Sequence, residues 1–339
     1  MSETSLRIER RCLLDTITAN KKCREQRKGV IRKTHRGDSK SWSKGNHSST
    51  NRSNGEGAQQ VILLSHHISN EIKKAIEHHN IAILPPMDVK DCIRLMQYVN
   101  SSFIVTMLDP WYNKGVGGVR EDYDEFIISI LTESAKISQH VYLWGFPEIV
   151  ARFVDKIPSP VQLTAWLTWY YKNNPSVIRG WRSSQMACLH LSKPNAKLYP
   201  EHFLNEAQLN KMKEGKLRYM PGPTSVIEAS LNIGFVGKKE QTGHPSQKPV
   251  IVYEKLYRMA TKPGDIVFDP MAGSGTTGAV SQSMGLKAIL CDCSEEYTRI
   301  MERRLNTDRL SLHEEIRELL STTHEIEVTT KQASNETSR

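Results

Sequence analysis

The chain has 339 residues, 38% of them apolar and 24% charged, which suits one large α/β domain with irregular additions. No run of about 18 apolar residues occurs, and the opening MSETSLRIERRC lacks the apolar centre of a secretory signal, so a cytoplasmic protein without transmembrane helices is expected. The net charge of +9 sits at one end: residues 1–60 hold 14 Lys/Arg against 6 Asp/Glu, and the remainder is nearly balanced.

Residues 1–35 are basic and compatible with one helix around Ile8, Leu13, Leu14 and Ile17. Residues 36–60 are rich in Ser, Asn and Gly, a composition that cannot bury a core and predicts a flexible linker. Together, 1–60 read as a basic, largely disordered arm. It fits either a polyanion, bound in a salt-dependent way, or a role as a solvated tail. The folded domain is expected over 61–310, beginning near Val61.

Ile81–Leu84 reads as a short strand, Val89–Tyr98 as a helix and Phe103–Leu108 as a buried strand stopping at Asp109-Pro110. An amphipathic helix follows over Asp124–Ser138, with Phe126, Ile127, Ile130, Leu131 and Ala135 facing a core. Val141–Trp144 is the next strand and Glu148–Asp155 the next helix. Leu163–Tyr170 and Met186–Leu191 read as strands around a polar loop, Lys172–Ser184. Residues 194–243 are irregular and punctuated by Pro and Gly. Beyond them come a helix at Val250–Ala260, a strand at Asp265–Asp269, a Gly-rich turn, a helix at Thr277–Met284, a strand at Ala288–Asp292 and a helix at Glu295–Leu305. Residues 311–339 form a charged tail, helical at first. The alternation predicts an α/β fold with a doubly wound, mostly parallel sheet. Six cysteines are scattered without zinc-ligand spacing, so no metal site is expected and the thiols read as reduced and buried.

The segment Ile266–Gly278 (IVFDPMAGSGTTG) is a strand, a turn and a helix start. Gly273, Gly275 and Gly278 allow a ligand to approach the backbone, and Asp292 stands where an acid would grip a ribose. No Lys follows Gly275, which excludes a phosphate loop. The Gly-x-Gly-x-x-Gly string leaves a nicotinamide dinucleotide open. Asp269, placed before the turn, would repel a pyrophosphate but pair with an ammonium, which favours the amino-acid end of S-adenosylmethionine.

Asp109-Pro110-Trp111-Tyr112 stands at the carboxyl end of a predicted parallel strand, where such sheets bind ligands. The Asp109 carboxylate and the Pro110 carbonyl can accept both hydrogens of one exocyclic amine. That would free the amine's lone pair for attack on a methyl group, with Tyr112 or Trp111 stacked on the base. An Asp-Pro capping turn is the structural alternative.

These two motifs, with Gly243-His-Pro-Ser-Gln-Lys-Pro249 between them, resemble the β-class DNA amino-methyltransferases, which act on adenine N6 or cytosine N4. The resemblance spans about residues 80–305. It implies the S-adenosylmethionine-dependent methyltransferase fold, permuted so that the catalytic half precedes the cofactor-loop half. It also implies S-adenosylmethionine as cofactor, DNA as partner in a nucleoid-associated location, and a link to restriction–modification; a homodimer stays open. Carried over by position, Asp109, Pro110 and Tyr112 are catalytic and Trp111 contacts the base. Asp269, Gly273, Gly275, Thr276 and Asp292 hold the cofactor, and Ser246, Gln247 and Lys248 line its amino-acid moiety. Asp rather than Ser at 109 favours adenine over cytosine. Three features depart from the family. Trp111 replaces a proline, which predicts a looser turn. Met271 replaces a phenylalanine. Residues 194–243 make a short target-recognition region. A weakly active, DNA-binding subunit and an RNA or protein methyltransferase are the competing functions.

Overall fold

In the computed structural model the described residues are 48–113, 118–174, 177–178 and 180–336. Thr50–Arg339 form one compact unit. Helix α1 (Ser48–His79) leads into β1 (Ile81–Ile83), α2 (Val89–Tyr98), β2 (Phe103–Leu108), α3 (Tyr123–Ile137) and β3 (Ser138–Gly145). A short α4 (Pro147–Val150) continues as a 3-10 turn and precedes β4 (Gln162–Tyr170). A small hairpin, β5 (Val177–Ile178) with β6 (Trp181–Arg182), connects to β7 (Gln185–Ser192). Then follow α5 (Glu206–Lys213), β8 (Val226–Glu228), α6 (Val250–Ala260), β9 (Ile266–Asp269), α7 (Thr276–Met284), β10 (Lys287–Leu290), α8 (Glu295–Leu305) and α9 (His313–Glu336). No helix among the described residues is long and apolar enough to cross a membrane.

Eight strands form one sheet in the order β1-β10-β9-β2-β3-β7-β4-β8. All run parallel except β7, which lies antiparallel between β3 and β4. A hydrophobic face of the sheet, including Val105, Met107, Tyr142 and Val267, packs on Val252, Leu256 and Ala260 of α6 and on Val280 of α7. Helices α2 and α3 bury their own apolar stripes, among them Leu95, Met96, Phe126 and Ile130. Local signals delimit the helices: the Asp88 side chain accepts from the Lys90 N–H at the start of α2, and Ser294 accepts from the Tyr297 N–H at the start of α8.

Winding reverses between two neighbouring strands. From β9 the chain passes through α7 to β10 on one side; from β2 it passes through α3 to β3 on the other. Such a switch point opens a crevice outside the carboxyl ends of the strands. Thr106 pairs with Phe268 across it, so Asp109 and Asp269 leave adjacent strands at the same end.

The structure corrects the domain reading at both ends. The predicted linker over 36–60 gives way at Ser48 to α1, because Val61, Ser65, Ile68, Ile72 and Ile76 recur at helical spacing and are buried. The tail from 311, expected to be helical only at first, runs as helix α9 to Glu336, with Leu312 just before it and Ile316, Leu319 and Thr323 within it buried. Gly57 lies against Ile326, and the Gln60 amide donates to Glu318, so each helix covers the other. The helix expected within residues 1–35, and the arm as far as residue 47, lie outside the described residues. Residues 194–243 are not wholly irregular: α5 carries an Asn205/Gln208 capping box, and β8 extends the sheet beside β4. Of the described thiols, Cys92, Cys188 and Cys291 are buried, whereas Cys293 is exposed.

Candidate active site

Strand β2 ends at Leu108, and the tetrad turns across the mouth of the crevice. Asp109 Oδ2 accepts a hydrogen bond from Lys248 Nζ at 2.5 Å and one from the Tyr253 hydroxyl at 3.3 Å. Lys248 Nζ also donates to the Tyr112 hydroxyl at 2.9 Å, and it lies 5.6 Å from the ring centres of both Tyr112 and Trp144. Only 2% of the Lys248 side chain is exposed, against 14% of Asp109. Burial alone would discharge this lysine, but the Asp109 charge, Tyr112 and their hydrogen bonds outweigh it and raise its pKa. Burial, with Asp109 nearby, pushes the Tyr112 phenol up to about 12.

Tyr112 and Lys248 face a cavity of about 180 Å³ whose other walls include Phe146, Trp169, Tyr171 and Met186. Tyr112 and Phe146 have ring centres 4.8 Å apart, and Trp169 meets Tyr171 edge-on at 5.0 Å. The Trp169 indole N–H is satisfied by the Ala229 carbonyl at 2.7 Å, which fixes the ring in place. Flat aromatic walls beside a hydrogen-bonding carboxylate suit a planar, amine-bearing heterocycle.

Trp111 does not line this cavity. Its ring packs against Tyr123 and Phe126 of α3, with centres 5.5 and 5.4 Å away, and its carbonyl accepts from the Tyr123 hydroxyl at 2.7 Å. Its indole N–H is buried without a hydrogen-bond partner. The looser turn expected from losing a proline is offset by this anchorage to α3. A second brace follows: Asn113 Oδ1 accepts from the Arg120 N–H at 2.6 Å, and its amide donates to the Arg120 carbonyl at 3.0 Å.

The glycine-rich turn lies on the other side of the switch point. Gly273 and Gly275 adopt positive φ, +49° and +74°. A side chain at Gly273 would also meet His244 Nε2 at 2.9 Å, so the residue-244 loop lies directly on the turn. Asp269 is 2% exposed. Its Oδ2 accepts from the Thr277 hydroxyl at 2.5 Å, its Oδ1 from the Met271 N–H at 3.1 Å, and Thr277 shares a 2.9 Å hydrogen bond with the Tyr257 hydroxyl. Burial nevertheless pushes this carboxyl up to about 7. A buried carboxylate to which no cation is paired among the described residues is what an ammonium-bearing ligand would complete, so the residues fit S-adenosylmethionine. Asp292 is also raised by burial; it accepts from the Gly273 and Ser294 N–H groups, both at 2.9 Å, and so ties the turn to the end of β10. Thr276 Oγ1 donates to the Lys248 carbonyl at 3.1 Å and, like Ser274, receives Arg304.

Two residues expected on the cofactor side sit differently. Lys248 joins the turn only through its carbonyl and sends its ammonium to Asp109. The Gln247 amide accepts from the Thr242 N–H and hydroxyl and donates to the Glu240 carbonyl, bracing its own loop. Tyr253, Tyr257, Thr277 and Phe146 were not singled out by sequence motifs. The i, i+4 spacing of Tyr253 and Tyr257 on α6 was the one signal available, and it reads equally as core. Among the described residues no group of three or more His, Cys, Asp or Glu could hold a metal ion.

A family model described as DNA methylase, for N6 and N4 amino-methyltransferases, matches residues 88–303. Type II methyltransferase M.HpaI of Haemophilus parainfluenzae is 29% identical over 226 residues, 61% of this chain and 69% of that protein. Two further type II methyltransferases are matched over only 36% and 24% of their lengths. The fold resembles the M1.HpyAVI–SAM complex, with TM-score 0.52, 20% identity and coverage of 67% of this chain and 99% of that one. It also resembles the cytosine-N4-specific PvuII DNA methyltransferase, with TM-score 0.50, 16% identity and coverage of 73% and 92%. By the match across most of its folded part, the chain belongs to the DNA methylase family of N6 and N4 amino-methyltransferases.

Proposed function

We propose that this protein methylates N6 of an adenine flipped out of duplex DNA. As a member of the DNA methylase family it uses S-adenosylmethionine, which supplies the methyl group. The observation that carries the reading is the Asp109 carboxylate at the carboxyl end of β2, bound to Lys248, which lines an aromatic-walled cavity and whose carbonyl accepts from Thr276 of the glycine-rich turn. In this reading the base stacks against Tyr112 and Phe146, and its amine donates one hydrogen to Asp109 and the other to the Pro110 carbonyl. Held so, the nitrogen lone pair points away from the ring plane towards the turn, and Asp109 is placed to take the proton that the amine gives up. Asp269 pairs with the ammonium of the cofactor, Asp292 faces its ribose, and Gly273, Gly275 and Thr276 shape its bed. The low exposure of Asp109 and Lys248 strengthens each of these polar contacts.

A carboxylate at 109 favours adenine; cytosine N4 is the second reading, supported by the fold shared with a cytosine-N4-specific enzyme. DNA from cells expressing the wild type should carry N6-methyladenine within one sequence context, detectable by modification-sensitive sequencing and mass spectrometry. DNA from cells expressing Asp109→Asn should carry none, while calorimetry still detects cofactor binding by the variant. N4-methylcytosine instead would overturn the choice of base. Neither product, with purified protein also inert on DNA, would overturn the reaction.

A further inference from the structure

The amine-accepting carboxylate of the proposed site is already occupied. Asp109 Oδ2 holds the Lys248 ammonium at 2.5 Å, and the lysine is almost wholly buried. A structural ion pair could stand anywhere, but the lysine of this one lines the aromatic cavity beside Tyr112, to whose hydroxyl it donates. Its main chain is pinned by Thr276, so the side chain is delivered to Asp109 from the opposite side of the crevice. The ammonium has three N–H donors. Two are used, by Asp109 and the Tyr112 hydroxyl, which leaves a third.

An acceptor and a donor side by side form a pattern that can be read. Adenine shows an amine donor (N6) beside a ring-nitrogen acceptor (N1), and cytosine shows the same pair as N4 and N3. Guanine and thymine reverse it, with a carbonyl oxygen beside a ring N–H. We propose that Lys248 is a specificity-determining residue that donates to the ring nitrogen next to the target amine, forming with Asp109 an acceptor–donor pair that reads the amidine edge of the flipped base. Without a base the two groups satisfy each other, which removes the cost of an unpaired buried charge. With a base bound, Oδ2 receives the amine and Nζ turns its free donor to the ring nitrogen. Guanine or thymine would set oxygen against carboxylate and N–H against ammonium, a mismatch that buried sites reject strongly. The inference rests on the proposed reaction and adds the group that selects the base edge.

The test uses the full-length protein and a duplex carrying its methylation site, with the target adenine either intact or replaced by 1-deazaadenine, which puts C–H in place of N1. Should the product be N4-methylcytosine, 3-deazacytosine takes its place. Single-turnover methylation is measured for wild type and Lys248→Met. A hydrogen bond from a charged donor is worth about 1.5–3 kcal/mol, so the wild type should lose roughly 10- to 150-fold on the deaza duplex. Lys248→Met, lacking the donor, should be slower on adenine but lose less than about threefold more on the analogue. Any change in the amine's own reactivity is common to both proteins and cancels in the ratio. Equal losses in the two proteins would overturn the inference, as would no loss in the wild type. If Lys248→Met does not fold, as judged by circular dichroism, duplex affinity of the wild type for adenine and 1-deazaadenine decides alone: equal affinities overturn the proposal. A wild type inert on every DNA substrate would instead bring down the reaction itself.

Discussion

Replacing Asp269 with asparagine separates the cost of a charge from the shape that carries it. The folded carboxyl is pushed up to about 7, chiefly by burial, while Thr277 and the Met271 N–H pull it down. In the unfolded chain an aspartate titrates near 3.9, so between about pH 4 and pH 7 the folded state binds the extra proton. Stability from this group is therefore lost as pH rises through that window, and the loss is complete above pH 7. About three pK units at 1.36 kcal/mol each amount to about 4 kcal/mol. Asparagine can keep the local hydrogen bonds. Its oxygen accepts from Met271, and its amide donates to Thr277 Oγ1, whose own proton turns to Tyr257. Urea midpoints should show the variant gaining on the wild type by roughly 3 kcal/mol between pH 5 and pH 8. Cofactor affinity, measured by calorimetry, should fall at least tenfold, because the stored cost is what an ammonium relieves. A difference independent of pH, or a variant that loses ground at pH 8, would refute the reasoning.

Gly278→Ala should lower the melting temperature although alanine favours helices. Its Cβ would lie 2.5 Å from Leu305 Cδ1 and 2.8 Å from Leu290 Cδ1, and overpacking of about 1–3 kcal/mol exceeds a propensity gain of up to about 1 kcal/mol. A raised melting point would show that α7 can move away from α8. His140 and His190, buried and 3.1 Å apart, are lowered to about 4 and about 3 by burial. Their contribution to stability is present above the ordinary histidine range and is lost as pH falls from about 6.5 towards 4. Urea midpoints between those values should fall in the wild type and fall less in His140→Gln/His190→Gln. Residues 1–47 hold 13 Lys/Arg against 5 Asp/Glu. Removing them, a cut that spares α1, should flatten the dependence of DNA affinity on salt while the melting temperature holds; an unchanged slope would show that they do not meet phosphates.

Much of the molecule was legible because its signals are local. Val89–Tyr98, Phe103–Leu108, Val250–Ala260 and Glu295–Leu305 have the bounds expected from apolar period and end signals, since hydrophobic spacing and capping act within one element. The Asp269–Gly278 string predicted its strand–turn–helix for the same reason: positive φ at Gly273 and Gly275 is a property of the residue. Strand direction was not legible. Met186–Leu191 reads as a buried strand either way, and only its neighbours β3 and β4 make it antiparallel. Helix α1 and the later turns of α9 were not legible because each looks polar alone and becomes helical by burying a stripe against the rest of the fold.

The candidate site divides along the same line. From the sequence alone came which polar groups exist and which motif each belongs to: Asp109 after one strand, Asp269 and Asp292 around another, and Lys248 in a loop between. Only the tertiary structure set Lys248 on Asp109 rather than beside the cofactor turn, turned Trp111 into α3, and built aromatic walls from Phe146, Trp169 and Tyr171. Those pairings join residues 139 positions apart in the case of Lys248 and Asp109. No local propensity encodes such a contact. It arises where the sheet reverses its winding and the carboxyl ends of β2 and β9 come side by side.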